Sequence, residues 1–264
     1  MTKKECIIVA GPTAVGKTAE AIRIAKQYKT SIISADSRQC YKELNFGVAR
    51  PSEQELKEVK HYFIANHSVV DTVSAASFAI EARGYLNEIF KENNTAIVCG
   101  GTGLYIKALV EGLDNIPSIP SEIRIQVTQL YQEKGIDELR KKLLALDKEF
   151  SIRGDINNPQ RMMRALEVVL HTGKSIFEFH SDKFSVDSSQ LTVSRQQKTV
   201  NIDKITFTYK ILDLPREDLY DRINKRVDAM VEEGLEDEVR SLIEYRELPA
   251  LQTVGYKEFF EYFD

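Results

Sequence analysis

The stretch Gly11-Pro12-Thr13-Ala14-Val15-Gly16-Lys17-Thr18 constrains this chain more than any other. It places two glycines, a lysine and a hydroxyl residue at fixed spacing, a pattern expected by chance in roughly one chain in a hundred of this size. Before it, Cys6–Ala10 is a continuous apolar run, the mark of a strand buried on both faces. After it, Lys17–Lys29 carries Ala21, Ile22, Ala25 and Tyr28 at helical spacing. In such a strand–loop–helix unit the glycines let backbone N–H groups turn inward around phosphate oxygens, and the helix N-terminus adds positive potential. Lys17 is then placed to neutralise phosphate charge, and the Thr18 hydroxyl suits a Mg²⁺ ligand. A glycine-rich turn with no ligand is the bland alternative, and the flanking strand and helix weigh against it.

The same rhythm continues. Ile32–Ala35 and Ala96–Cys99 read as buried strands, ending at Asp36 and at Gly100-Gly101-Thr102-Gly103. Between them Ser74–Lys91 reads as a helix with Phe78, Ala82, Leu86 and Phe90 on one stripe. Strand and helix in alternation predict an α/β fold, a P-loop NTPase-like parallel sheet flanked by helices. From Ser121 to His180 the helical patterns run together (Glu122–Glu133, Ile136–Leu146, Pro159–His171), as expected of an inserted helical domain. Residues 181–203 are polar and aperiodic and read as a mobile loop. Ile205–Asp213 alternates and should rejoin the sheet. Pro215 should start a helix through Glu233, with Leu219, Ile223, Val227 and Met230 on a buried stripe and Gly234 as its stop. The expected domains are a catalytic core of residues 1–113 and 204–264, and a helical insertion of residues 114–203.

A chain of 264 residues with 42% hydrophobic content can bury a sizeable core, and a net charge of −4 gives no global attraction to nucleic acid. Any RNA contact must come from a local basic surface. Three scattered cysteines, Cys6, Cys40 and Cys99, fit neither a disulfide framework nor a metal site. With no apolar run near the length of a membrane span and too short an apolar start for a signal peptide, a cytoplasmic monomer is the expectation.

Beyond the loop, Asp36 stands at the carboxyl end of a predicted parallel strand, where doubly wound sheets build their sites. It reads as a reactive carboxylate, as a metal-binding aspartate, or as a turn cap. Thr102 offers a hydroxyl from the equivalent position after another strand. Arg161 and Arg164 share one helix face, and Arg222 and Arg226 another; each pair reads either as a phosphate or RNA clamp or as a solvated face. His61, His67, His171 and His180 have no ligand-like spacing.

Taken in order, these stretches resemble the tRNA dimethylallyltransferases, also called tRNA isopentenyltransferases. The likeness rests on the loop 11–18, Ser34-Ala35-Asp36-Ser37, Gly100-Gly101-Thr102-Gly103-Leu104-Tyr105 and Asn158-Pro159-Gln160-Arg161-Met162-Met163-Arg164-Ala165-Leu166-Glu167. It continues through Pro215-Arg216-Glu217, the run from Arg222 to Asp228, and Gln252-Thr253-Val254-Gly255-Tyr256-Lys257. The resemblance implies transfer of a dimethylallyl group from dimethylallyl diphosphate to N6 of the adenosine immediately 3′ of the tRNA anticodon. It recasts Gly11, Pro12, Thr13, Ala14, Val15, Gly16, Lys17 and Thr18 as a diphosphate cradle, assisted by Arg222, with Mg²⁺ on Thr18. It implies Asp36 as general base, with Thr102 beside it as a catalytic residue. On the tRNA side it implies Asp36, Ser37, Arg38, Gln39, Thr102, Arg124, Gln160, Arg161, Met162, Met163, Arg164, Gln252, Thr253, Val254, Gly255, Tyr256 and Lys257. The helical insertion would clamp the anticodon stem-loop.

Two departures from the family pattern stand out. His61-Tyr62-Phe63 replaces the usual double-histidine start. Members also continue with a basic C-terminal helix, whereas the sequence ends at Asp264: either it is a piece of a longer chain, or tRNA binding is weaker than the resemblance implies. The zinc-finger extension of eukaryotic relatives has no counterpart, and no zinc is expected. The rival readings are a P-loop kinase using ATP, an adenylate dimethylallyltransferase, and a non-catalytic RNA-binding protein.

Overall fold

The computed structural model describes residues 3–179, 199–202 and 205–264. The chain divides into two compact units, Met1–Gly112 with Leu191–Asp264, and Leu113–Gln190. The first begins with β1 (Lys4–Ala10), α1 (Lys17–Tyr28), β2 (Ile32–Ser34), α2 (Glu53–Glu58), β3 (His61–Tyr62), α3 (Ala75–Glu92), β4 (Thr95–Cys99) and α4 (Gly103–Val110). The helical unit holds α5 (Ser121–Leu146), α6 (Lys148–Arg153), α7 (Pro159–Thr172) and a short 3₁₀ turn at Ile176–Phe179. The chain then completes the first unit with β5 (Thr199–Ile202), β6 (Ile205–Ile211), α8 (Arg216–Glu233), α9 (Leu235–Ser241) and α10 (Tyr256–Phe263).

The strand order is β3-β2-β4-β1-β6-β5. β1 lies inside the sheet, parallel to β4 and β6, while β5 pairs antiparallel at the edge. After β1 the chain skips the β4 position to form β2 and later returns to fill it. That reversal opens a crevice at the carboxyl ends of β1, β4 and β2, the place where open α/β sheets bind ligands. The continuous apolar run at the start follows from burial on both faces. Cys6 and Ile8 enter one core with Ile33, Phe78, Leu86, Val98 and Leu109, while Val9 enters a second with Ile22, Ala25 and Ile97 beneath α1. Adjacent strand residues point to opposite faces, so only an unbroken apolar string serves both. Each such side chain, fully removed from water, stabilises the fold by about 1.5–3 kcal/mol.

The helical unit has its own core, built on Leu139, Leu143, Phe150, Met162, Leu166 and Val169. α5 contains a break at Gly135 (φ 74°, ψ −173°), which separates the two helical patterns read on either side of it. α7 starts where Asn158 accepts a hydrogen bond from Arg161 N at 3.1 Å and Pro159 occupies the first turn. It stops at Gly173 in the left-handed region (φ 69°).

Two expectations change. The polar loop assigned to residues 181–203 contains strand β5; the remainder of that segment lies outside the described residues. A four-residue antiparallel edge strand offers little sequence periodicity to detect, and it extends the sheet where the helical insertion was expected to continue. Secondly, α8 spans its expected range but none of its residues is fully buried, and Val227 is 48% exposed. Its apolar stripe reports helical periodicity and does not by itself supply a partner face.

Candidate active site

The loop between β1 and α1 takes a form that few residues accept. Gly11 has φ 154°, and a Cβ there would stand 2.4 Å from the Leu212 carbonyl oxygen. Gly16 has φ 98° at the N-cap of α1, and Ala14, with φ 63°, occupies the left-handed region without a glycine's freedom. This local cost is the kind stored at ligand cradles, where backbone N–H groups must face inward. Lys17 Nζ folds back to donate to the Pro12 carbonyl at 2.7 Å, so the ammonium closes over the loop. Burial lowers its pKa, the nearby Cys99 and Asp36 oppose that shift, and Arg226 adds to it.

At the end of β2 the turn is held from two sides. Asp36 Oδ1 accepts from Arg38 N at 2.9 Å and Gln39 N at 3.4 Å. Thr102, at the end of β4, accepts from Ser37 N at 3.0 Å through Oγ1, and its own N–H donates to Ala35 O at 3.1 Å. Gly100 makes this approach possible, because a Cβ there would meet the Ala35 carbonyl oxygen at 2.2 Å. Asp36 is thus a turn cap and also a wall of the crevice: the two readings coexist, since Oδ1 takes both turn contacts.

One cavity of about 520 Å³ gathers these elements. Its walls include Thr13, Gly16, Lys17, Thr18, Asp36, Arg38, Gln39, Arg222 and Arg226. Arg222 Nη1 lies 3.4 Å from the Ala14 carbonyl. Arg226 is the more enclosed of the pair: burial lowers its pKa and Asp36 opposes the shift. Four cations, Lys17, Arg38, Arg222 and Arg226, and two carboxylates, Asp36 and Glu55, therefore line a single space, a charge pattern suited to a polyanion with a proton acceptor beside it.

Gly47, Val48, Ala49 and Glu55 complete the wall, and no local pattern marked them. Their segment is held by a long-range device. Glu238, on α9, accepts from the backbone N–H groups of Asn45 (2.7 Å), Phe46 (2.9 Å) and Gly47 (3.2 Å), and from the Tyr256 hydroxyl at 2.5 Å. Gln39 Nε2 donates to Ala49 O at 2.5 Å, and Ser34 Oγ donates to Gln39 Oε1 at 2.9 Å. Arg38 reaches Pro249 O (3.0 Å) and Ala250 O (2.9 Å).

In the stretch 252–257, Gln252 Nε2 donates to Arg246 O at 2.6 Å and Val254 is 84% exposed. Gly255 has φ 94° before α10. Tyr256 is wholly buried against Gly47, so its contribution is to shape the chain and not to touch a ligand.

The other expected tRNA-side residues belong to the helical unit. Arg124 and Gln160 are exposed. Arg161 is exposed and lies 3.5 Å from Asp155, and Arg164 pairs with Glu167 at 3.1 Å. Met162 and Met163 face the core of this unit. Among the described residues no cluster of three or more His, Cys, Asp or Glu suits a metal ion, and no helix is long and apolar enough to cross a membrane.

A glycine-rich loop after an internal parallel strand, with a carboxylate across the crevice, defines an α/β protein of the P-loop NTPase-like class with its candidate site at the strand ends. Comparison with known proteins narrows the class. A family model described as IPP transferase matches residues 39–264. The tRNA dimethylallyltransferase of Christiangramia forsetii is 44% identical over 258 residues, covering 98% of this chain and 80% of the relative. The tRNA dimethylallyltransferase 1 of Bacteroides thetaiotaomicron is 42% identical, covering 98% and 79%. The crystal structure of the tRNA isopentenylpyrophosphate transferase of Bacillus halodurans superposes with a TM-score of 0.61 at 30% identity, covering 99% of this chain and 78% of that one. A eukaryotic dimethylallyltransferase, described as acting on tRNA, shares the fold with a TM-score of 0.72 at 23% identity, covering 98% and 63%. The chain belongs to the IPP transferase family, as a relative of the tRNA dimethylallyltransferases.

Proposed function

We propose that this protein transfers the dimethylallyl group of dimethylallyl diphosphate to N6 of the adenosine immediately 3′ of the anticodon in tRNA, releasing diphosphate. The observation that carries the reading is the shared cavity, where Lys17, Arg222 and Arg226 face Asp36 beside the phosphate loop. The N6 lone pair forms the new bond to C1 of the dimethylallyl group, while the C1–O bond breaks and its electron pair leaves with the diphosphate. The N6 proton passes to the Asp36 carboxylate. N6 is a poor nucleophile because its lone pair is delocalised into the ring, so loss of the proton as the bond forms matters. Lys17, the loop N–H groups and the two arginines stabilise the charge growing on diphosphate. Thr102 holds the Asp36 turn in place through Ser37.

The donor set fits Mg²⁺: the Thr18 hydroxyl is a hard oxygen donor on this cavity, and a small ion that keeps most of its ligands from phosphate and water needs few protein groups. Bound there on Thr18, it would supply further charge neutralisation of the diphosphate. On the tRNA side, Arg124, Gln160, Arg161 and Arg164 offer the polar surface of the helical unit, whose basic side chains suit an RNA backbone. A monomer working in the cytoplasm completes the reading.

The test is transfer of labelled dimethylallyl group to an unmodified anticodon stem-loop, with Asp36→Ala as control. Transfer by the wild type, lost in the variant while diphosphate still binds, supports both the activity and the base. Transfer to free AMP instead, or phosphotransfer from ATP, would sink the reading in favour of the adenylate enzyme or the kinase.

A further inference from the structure

The cavity beside the phosphate loop is walled largely by charged and polar side chains. Among the described residues, its longest uninterrupted run of wall without a polar side-chain atom is Gly47-Val48-Ala49. Backbone polarity is partly withdrawn from this run as well. The Gly47 N–H donates to Glu238 Oε1 at 3.2 Å, and the Ala49 carbonyl accepts from Gln39 Nε2 at 2.5 Å. What the run offers a ligand is therefore mainly carbon, and ligand sites use such surface to hold the apolar part of a molecule.

The run owes its place to a distant side chain. Asn45 N and Phe46 N donate to Glu238 Oε2 at 2.7 and 2.9 Å, so three successive N–H groups converge on one carboxylate of α9. Hydrogen bonds to an ionised acceptor are roughly twice as strong as neutral ones. The Tyr256 hydroxyl donates to the same carboxylate at 2.5 Å, and its ring closes the space at Gly47, where a Cβ would stand 2.5 Å from it. Arg50, just past the run, has its pKa lowered by burial, and the Glu238 charge is the leading influence against that shift. On its other side the run joins the Asp36 turn through Gln39, whose N–H donates to Asp36 Oδ1 at 3.4 Å.

We propose that Glu238 is a positioning residue for prenyl recognition: by holding the N–H groups of Asn45, Phe46 and Gly47, it sets Gly47–Ala49 as the surface on which the dimethylallyl group packs while the phosphate loop holds the diphosphate. The inference rests on the substrate proposed above. Glu238 acts through the backbone and needs no contact with the ligand.

Transfer kinetics separate this role from general stability. KM for dimethylallyl diphosphate is measured with the anticodon stem-loop as acceptor, alongside Ki for methyl diphosphate, which bears the same charged group without the rest of the prenyl chain. In the wild type KM should lie below Ki by on the order of tenfold, the contribution of the apolar contact. In Glu238→Gln the amide nitrogen cannot accept, so whichever oxygen it replaces leaves backbone N–H groups without a partner. KM should then rise by on the order of tenfold, with Ki within about twofold of wild type. Ala49→Leu leaves the Glu238 contacts in place and adds bulk to the surface itself, and it should erase the preference in the same way. Equal values for the two ligands in the wild type would overturn the proposal. So would a variant of either kind that keeps the wild-type preference, including one that weakens both ligands equally. Failure of the wild type to transfer the group to RNA is a different outcome, and it would count against the proposed function instead.

Discussion

The two units of this protein hold their candidate functional residues in opposite ways. In the sheet unit, Lys17, Asp36 and Thr102 are each tied to backbone, and the loop around Lys17 carries the left-handed residues Ala14 and Gly16. In the helical unit, Arg161 and Arg164 project from a regular helix and rest on acidic neighbours, Asp155 and Glu167. Groups that act on a reacting centre are fixed in advance, since small displacements there are costly. Groups that meet a flexible polyanion keep their freedom, and weak surface ion pairs give way easily to phosphate.

Substitutions can break this contrast in order of expected effect. Asp36→Ala should lower kcat by about 10²–10⁴-fold while leaving tRNA affinity nearly unchanged, as read by single-turnover transfer and by filter binding. Equal loss of binding would show that Asp36 serves both tasks. Leu139→Ala, in the core of the helical unit, should destabilise that unit by about 2–5 kcal/mol, measured by urea unfolding, with diphosphate affinity retained in the sheet unit. Loss of diphosphate binding would show that the units are less separate than their cores. Arg161→Ala should weaken stem-loop binding modestly and reduce the slope of log K against log salt by about 1, with Kd for diphosphate unmoved. An unchanged slope removes Arg161 from the RNA surface.

The smallest effect belongs to pH. Glu20 on α1 is held at about 2 by Arg23 of the same helix and by Lys210 of β6. Because its folded pKa lies below the unfolded value, its contribution to stability is present above about pH 4.5 and fades as pH falls toward 2. The difference in Tm between wild type and Glu20→Gln should shrink over that window. A difference that is constant with pH would assign the effect to packing.

The ease of reading the sequence followed the range of each constraint. The phosphate loop was legible because every requirement falls within eight consecutive residues flanked by recognisable elements. Asp36 and Thr102 were legible for a related reason, since strand ends of a parallel sheet converge. The segment Asn45–Ala49 was not, because what holds its first three residues is the Glu238 carboxylate, 191 residues from Gly47, and no local pattern announces a side chain that serves three distant N–H groups. The stripe of α8 misled in the other direction: Leu219, Ile223, Val227 and Met230 repeat at helical spacing, but periodicity reports which face is apolar and not what covers it. The resemblance implies Tyr256 on the tRNA side, whereas its side chain is enclosed and its hydroxyl donates to Glu238.

The three cysteines show what the core does to reactive chemistry. Burial is the leading cause that pushes the Cys40 and Cys99 thiols up to about 12, and it raises Cys6 further still. Thiolate is the form that peroxide and alkylating reagents attack, so at neutral pH all three sulfurs are chemically quiet. Cys99, although it stands close to Lys17, is no exception, because exclusion of water outweighs the attraction of the ammonium. The enzyme should therefore keep its activity without added reductant and through exposure to iodoacetamide, as read by transfer assays before and after treatment.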